Sequence, residues 1–460
     1  MAVYSVVKLS ELEGAKRIDA EYYKPEYLWI KNLPNLLPVR NLVSDIRYGL
    51  YVEPEYKEFG INFIRALNLL SFWIDGEILK IDENKVPYDY KLKVGDCLIV
   101  RSGANTGSIG FVFPKFQGST FGSYTIKITF NKINPAFASV FLASKFGLPQ
   151  AIRLKTGSAQ LNLNIPNIKE IKIPLLSEDV QRGIEAFVWQ IYKYQELSNS
   201  LYSQVENLLL EELGLKDFKP QCKKTYTANL SDAFSAHRID AEYFQPAYEE
   251  VIEKIKKYPN GFDKLLKYIE NVKPNFDPTR YPEHTFSYVE LADIDSSIGV
   301  IHSENKIKGE EAPSRARRIL KKGDVIVSSV EGSLEKVALI DKEHDGCLAS
   351  TGFFQYRPLN ILPEVLLVLS KTIVLQSQLK KKCSGTILTA VPKESLRDII
   401  IPILPSETQQ KIASLVQQSH EARRKAKELL EVAKKAVEIA IEKNEKEALD
   451  YISKAEEKWR

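Results

Sequence analysis

The sequence predicts an α+β protein: one mixed α/β unit repeated in tandem, a long helix after each copy, and the two helices pairing as an antiparallel coiled coil. Three observations predict it. The phrase Arg17-Ile-Asp-Ala-Glu-Tyr-Tyr-Lys-Pro25 returns as Arg238-Ile-Asp-Ala-Glu-Tyr-Phe-Gln-Pro246. Short β-branched runs separated by Gly and Ser fill the body of each copy. Two stretches entered through Pro174 and Pro402 carry apolar residues at alternating steps of three and four, the spacing of a helix that wants a partner helix. Two such halves would be related by a pseudo-twofold axis. The domains expected are 1–176, a spacer helix 177–213, a second domain 214–404, and a second spacer helix with a C-terminal tail, 405–460.

The 460 residues, 44% hydrophobic and 27% charged, suit a soluble chain of two to four domains. No apolar run approaches the ~18 residues of a membrane span. The N-terminus, MAVYSVVKLSELEG, lacks the basic and apolar regions of an export signal, so a cytoplasmic location is expected. Cys97, Cys222, Cys347 and Cys383 stand alone and the five histidines show no ligand spacing, which predicts reduced structural cysteines and no metal site. Charge is uneven: residues 1–176 hold 22 basic and 16 acidic groups, residues 177–213 hold 2 and 7. A basic body beside an acidic helix permits nucleic-acid binding without requiring it.

Taken in order, each copy opens with a tyrosine-rich helix near Ala20 (Ala241). Strands are expected at Asn62–Leu67, Cys97–Val100, Ser108–Phe113 and Tyr124–Phe130. Glu83-Asn84-Lys85 returns as Glu304-Asn305-Lys306, and Gly95-Asp96 as Gly323-Asp324. Between those two landmarks the second copy gains a stretch containing Arg315, Arg317 and Arg318. Pro135 and Pro363 each open a helix, where the missing N–H costs nothing. A Gly/Ser loop then leads through Pro166 and Pro174 into the first long helix. Ser177 is its candidate N-cap, and Glu178 and Asp179 sit at the positive end of its dipole. The seam expected on it is Val180, Ile184, Phe187, Ile191, Tyr194, Leu201, Val205 and Leu208, with Ser198 in the polar gap. On the second helix it is Ile412, Leu415, Ser419, Ala422, Ala426, Leu429, Ala433, Ala436 and Ala440. Large residues on one side and alanines on the other allow close approach. The tail from Asn444 is expected to extend this helix.

Catalytic patterns are scarce. RSGANTGSIG (101–110) lacks the GxxxxGK[ST] of a phosphate loop and reads as a hairpin turn. Asn134-Pro-Ala-Phe137 is similar to the Asn-Pro-Pro-aromatic motif of amino-methyltransferases, but the second proline is missing, so it reads as a helix start. Glu83-x-Lys85 lacks the upstream Pro-Asp of a metal nuclease. No Ser/His/Asp or Cys/His arrangement stands out. What remains is binding. Arg, Asn and Gln read base edges through paired hydrogen bonds, Glu accepts from the cytosine amino group, and Ser, Thr and Lys hold phosphates. The candidates in the first copy are Arg47, Tyr48, Arg65, Asn68, Arg101, Ser102, Asn105, Thr106, Lys155, Ser158, Gln160 and Asn162. In the second they are Glu290, Arg315, Arg317, Arg318, Ser328, Ser329, Lys382 and Thr386. The copies agree in framework and differ in these loops, as two readers of two unlike half-sites would.

The arrangement resembles the specificity subunits of type I restriction–modification systems. The helix entries, IKIPLLSEDVQ and IIIPILPSETQQ, are similar to that family's IPLPPLxEQ phrase, although Glu178 and Gln181, and Glu407 and Gln409, are not adjacent as in the family. The resemblance implies a non-catalytic subunit whose two target-recognition domains each read one half of a bipartite DNA site, with the coiled coil fixing the gap. It implies two modification subunits as partners, which carry S-adenosylmethionine and methylate adenine, and restriction subunits that join later. No cofactor is expected in this chain. The reading from another class is a non-catalytic protein-interaction scaffold with a coiled-coil spacer.

Overall fold

The computed structural model describes residues 5–12, 18, 20–24, 27, 33, 35–51, 55–70, 72–103, 105–156, 162–385 and 389–459. Among them the α-helices are α1 (Pro135–Ala143), α2 (Gly147–Arg153), α3 (Ile165–Lys169), α4 (Glu178–Glu212), α5 (Leu230–Ala236), α6 (Pro246–Lys256), α7 (Pro363–Lys371), α8 (Ile373–Lys382), α9 (Ser406–Glu442) and α10 (Glu445–Trp459). Contacts divide the chain into two compact units. The first comprises Met1–Gln195 with Arg424–Arg460, the second Glu196–Arg423. Each long helix therefore gives one half of its length to each unit.

In the first unit an antiparallel sheet runs Val43–Tyr48, Thr125–Phe130, Cys97–Val100, Ile109–Phe111. A second sheet runs Leu79–Ile81, Ile61–Ile64, Thr120–Phe121. The expected strand Asn62–Leu67 stops at Ile64, because the Asn68 side chain accepts the Arg65 N–H (2.9 Å) and winds residues 66–68 into a 3-10 turn. Asn134 caps α1, accepting from the N–H groups of Ala136 (3.0 Å) and Phe137 (3.1 Å), with Pro135 at the first helical position. Phe137 is fully buried, so this segment is a helix start and not an open amine-binding motif.

The second unit repeats the plan. Its antiparallel sheet runs Ile269–Asn271, Phe353–Pro358, Val325–Ser328, Val337–Leu339. Its other sheet, Asn305–Lys308, Thr285–Val289, Leu348–Ser350, Ala316–Ile319, has one strand more than its counterpart. The stretch gained by the second copy supplies that strand. The repeated Gly-Asp is built alike in both: Gly95 and Gly323 take φ of +89° and +88°, and Asp96 and Asp324, both buried, accept from the N–H of Lys93 (2.8 Å) and Lys321 (3.1 Å). The tyrosine-rich phrase is a 3-10 turn at Ala20–Tyr23 and a turn at 241–244. The helix of the second copy begins only at Pro246; its counterpart in the first lies largely outside the described residues.

The long helices pair antiparallel within each unit. In the first, the Lys425 ammonium of α9 lies over the Tyr194 ring of α4 (5.6 Å). In the second, Ser198 Oγ meets Ser419 Oγ (3.2 Å), while Leu209 and Leu213 share a core with Ile412 and Val416. The buried stripe of α4 is Ile184, Val188, Ile191, Gln195, Ser198, Tyr202, Val205 and Leu209. Phe187 is also buried, whereas Tyr194, Leu201 and Leu208 are half-buried on its flank. On α9 Ile412, Val416, Ser419, Ala422, Arg423, Ala426, Leu429, Leu430, Ala433, Ala436, Val437 and Ala440 are buried and Leu415 is half-buried. On α4 the buried positions Val188, Gln195, Tyr202 and Leu209 thus sit one residue later than expected, whereas on α9 only Leu415 gives way, to Val416. The polar residues of the stripe find partners inside: Ser419 Oγ donates to the Ser198 carbonyl (2.8 Å), both at expected seam positions, and Arg423, which was not expected there, donates from Nη2 to Asn199 Oδ1 (3.0 Å).

The tail is helical but does not extend α9. Asn444 Oδ1 accepts the Glu447 N–H (2.9 Å) and starts a new helix, α10. α10 runs along α4 with Ile452 against Gly183, where an added Cβ would lie 2.9 Å from Ile452 Cγ2.

Candidate nucleic-acid interface

In each unit the hairpin turn after the central strand and the loop before the long helix are tied side by side. In the first, the Arg101 N–H donates to the Tyr124 carbonyl (2.9 Å) and the Leu163 N–H to the Arg101 carbonyl (2.8 Å). In the second, the Ser329 N–H donates to the Gly352 carbonyl (2.8 Å) and the Val391 N–H to the Ser329 carbonyl (2.8 Å). One backbone frame thus carries Arg101 and Tyr124 in one copy, Ser329 and Gly352 in the other.

The frame sorts the first unit's candidates. Arg101 lies over the Tyr48 ring (4.7 Å), and Tyr48 Oη accepts the Ile165 N–H (3.1 Å), so Tyr48 holds both the arginine and α3. Asn105 is exposed and Ser102 half-buried in the same turn, while Thr106 is buried, donating to the Gly103 carbonyl (2.6 Å). Asn162 is half-buried and pairs through its backbone with Thr156; Lys155 is half-buried, and burial lowers its pKa. Arg47 is committed to Asp45 (2.8 and 3.0 Å) and to Asp89 (3.4 Å). Arg65 donates to the Glu77 carbonyl (3.1 Å), and Asn68 is wholly buried, donating to the carbonyls of Asp75 (3.0 Å) and Glu77 (2.9 Å). Asn68 is a structural clamp. Ser158 and Gln160 lie outside the described residues.

In the second unit Arg315 is exposed at the start of the added strand, and its carbonyl accepts the Thr351 N–H (2.8 Å), next to Gly352. Glu290 is exposed, and both Glu290 and Arg315 act electrostatically on the Tyr288 hydroxyl. Arg317 bridges Asp277 (2.7 Å). Arg318 points inward, buried, donating to the Val272 carbonyl (2.6 Å), and burial pushes its pKa down to about 10. Ser328 is wholly buried against Ser333 (3.0 Å), and Ser329 donates to the Gly352 carbonyl (2.9 Å). Lys382 is paired with Asp398 (2.7 Å), outside this frame. Thr386 lies outside the described residues.

The structure therefore brings Tyr48, Arg101, Ser102, Asn105 and Asn162 to one edge of the first unit. It brings Glu290, Arg315 and Ser329 to the matching edge of the second. It adds two residues that sequence reasoning missed, Tyr51 and Tyr124, exposed by 93% and 65%. The signal for Tyr124 was an aromatic beside Ser123 in a turn, which is weak, and Tyr51, between Leu50 and Val52, had none. Among the described residues no cluster of three or more potential metal ligands occurs, and no helix is long and apolar enough to cross a membrane.

The model of a protein family described as the type I restriction modification DNA specificity domain matches the chain twice, over residues 56–207 and 267–453. A curated protein, the specificity subunit of the type I restriction enzyme HindI of Haemophilus influenzae, is 28% identical over 152 residues, 32% of this chain and 32% of that protein; the match thus spans about a third of the curated relative. Among solved structures, the S subunit of a type I restriction–modification system from M. genitalium matches with a TM-score of 0.39 and 15% identity, covering 90% of this chain and 97% of that one. The HsdS subunit of Thermoanaerobacter tengcongensis matches with a TM-score of 0.28 and 15% identity, covering 90% and 98%.

Proposed function

This chain belongs to the type I restriction modification DNA specificity domain family, and we propose that it is the sequence-reading subunit of a type I restriction–modification complex. Each unit reads one half of a bipartite, non-palindromic DNA site. The observation that carries the reading is the duplicated frame: identical backbone bonds hold Arg101 and Tyr124 in one copy, Ser329 and Gly352 in the other. A common scaffold with unlike side chains at its reading edge suits two unlike half-sites. The paired long helices set the gap. At ~1.5 Å per residue each is on the order of 55 Å long, longer than one duplex turn of ~34–36 Å.

In this reading the chain performs no chemistry itself. Two modification subunits bind it, supply S-adenosylmethionine and methylate adenine, and restriction subunits join to cleave. The complex works on intracellular DNA. Phosphate contacts from the basic bodies of the units give affinity that falls with salt, and base-edge contacts from the reading edges give sequence.

The test is methylation mapping. The chain is co-expressed with its modification subunit and host DNA is sequenced for N6-methyladenine. A split motif with two unlike halves and a fixed gap is expected. A stable complex that leaves no new methylation would overturn the reading in favour of a protein-interaction scaffold.

A further inference from the structure

The first unit's reading edge holds a close crossing of two backbone segments. At Gly49 and Gly122 two backbone segments cross so closely that a Cβ on Gly49 would lie 2.1 Å from the Gly122 carbonyl oxygen, and one on Gly122 would lie 2.9 Å from the Phe63 ring. The crossing is locked by bonds from the Gly49 N–H to the Thr125 carbonyl (3.1 Å) and from the Leu50 N–H to the Phe121 carbonyl (2.9 Å). The turn after it is locked as well: the N–H and hydroxyl of Thr125 both donate to the Gly122 carbonyl, at 3.0 and 2.8 Å. From this rigid crossing each segment projects a tyrosine into solvent, Tyr51 and Tyr124.

Single exposed aromatics are ordinary on protein surfaces. These are set apart by what sits beside them. The Tyr124 carbonyl holds the Arg101 N–H, the Arg101 guanidinium lies over Tyr48, and Arg101 Nε is shut from solvent without a hydrogen-bond partner among the described residues. A pre-placed arginine next to a rigid exposed ring is the chemistry that takes a stacked base with a polar edge. In the second unit the same backbone bond places Gly352 and Ser329.

We propose that Tyr124, with Tyr51 at the same crossing, is a stacking wedge that opens a base step in the half-site read by the first unit, and that Arg101 reads the base edge so exposed. The proposal rests on the recognition reading above. It makes the two halves of the site differ in kind: the first is read partly through deformability, which favours a flexible pyrimidine–purine step, and the second through hydrogen bonds alone.

The experiment uses the full chain assembled with its modification subunits, acting on duplexes that carry the mapped wild-type site. Tyr124→Ala should lower methyl transfer at limiting DNA by about 5- to 100-fold, the range of one lost base–aromatic stack. Tyr124→Phe should stay within about twofold of wild type, since the ring is kept. With 2-aminopurine at the step, the wild-type and Phe complexes should raise its fluorescence and the Ala complex should not. An Ala variant as active as wild type, a Phe variant as impaired as Ala, or an Ala variant that fails to assemble with the modification subunits would each overturn the wedge. A wild-type complex that modifies no split site would overturn the recognition reading itself, a distinguishable failure.

Discussion

Both units attach their sheets to the long helices through an apolar core, finished by aromatic stacking in the first and by a buried ionic cluster in the second. In the first, Phe113 stacks on Tyr192 of α4 (4.9 Å, 12° between planes). Trp189 meets Phe111 and Phe113 edge-on at 6.5 and 6.2 Å, and Phe72 stacks on Phe111 (5.9 Å, 3°). In the second, Tyr202, Val205 and Leu209 of α4 and Ile412 and Val416 of α9 share an apolar core with the sheet, and a buried ionic cluster is added to it. Arg423 of α9 faces Asp295 (3.5 Å), both almost wholly buried, and also donates to Asn199. Lys371 donates to the carbonyls of Ser296 (2.6 Å) and Ser297 (3.1 Å) and approaches Glu206 of α4 (3.8 Å). His420 contacts the Ile298 carbonyl (2.9 Å). A duplicated backbone therefore does not dictate its adhesive. Aromatic burial gains from area and is indifferent to salt, whereas the buried ionic joint gains geometry at the cost of desolvation and depends on every member being present.

The sharpest way to break this comparison is to remove one ion. Arg423→Met strips Asp295, whose side chain is 2% exposed, of its paired cation. The expected loss is about 3–5 kcal/mol, read as weakened hydrogen-exchange protection confined to residues 196–423. Adding Asp295→Leu should recover much of it, since a buried pair replaced by apolar groups is often near neutral. If the single variant costs less than 1 kcal/mol, the joint is not ionic in the sense described.

The contrast was only partly legible beforehand. The repeat, the Gly-Asp turns, the proline-led helix starts and the helix entries were visible because each is a local signal with a local cause. Gln181 and Gln409 even play one role, each donating to the carbonyl five residues back, Leu176 (2.7 Å) and Leu404 (3.0 Å). The seam was legible at Ser198, Ser419 and most of α9, but Arg423 was not, because hydropathy passes over an arginine whose burial depends on partners distant in sequence. Arg318 was misplaced for a related reason. Once Ala316–Ile319 is known to be a strand, alternation sends Arg318 inward with Ala316, but an Arg-rich stretch does not announce a strand. Asn68 looked like a base reader because the side chain that reads adenine is the same one that clamps a 3-10 turn.

A smaller loss tests the other joint. Phe113→Leu removes the stack on Tyr192 while keeping an apolar side chain in a site that is 2% exposed. About 1–2 kcal/mol is expected, from lost aromatic contact and imperfect refilling. The loss should be confined to residues 1–195 with 424–460 and should not change between low and high salt. A salt-dependent loss would show that the stack is coupled to the Lys145 bridges to Glu438 (3.5 Å) and Glu442 (2.6 Å) at the same joint.

The gentlest perturbation is acid, and it should separate the units without any substitution. All five histidines, His237, His284, His302, His344 and His420, belong to the second unit. Burial lowers the pKa of His302 and of His420 below the ordinary imidazole value, outweighing the raising pulls of Asp295 and Asp293 on the first and of Asp341 and Glu364 on the second. Because the folded pKa is depressed, the unfolded chain takes up protons first as pH falls. The stability these groups contribute is full above the ordinary histidine value of about 6.5 and is lost on descending through their folded values. Asp295 shifts the same way, held low chiefly by Arg423 against the opposing effect of burial, and adds its loss only in the carboxylate range. Between pH 7.5 and 5.5, then, protection in residues 196–423 should decline while the first unit, which has no histidine, stays level. Equal decline in both units would mean that the two joints share one titrating cause and that their difference in chemistry has no consequence for stability.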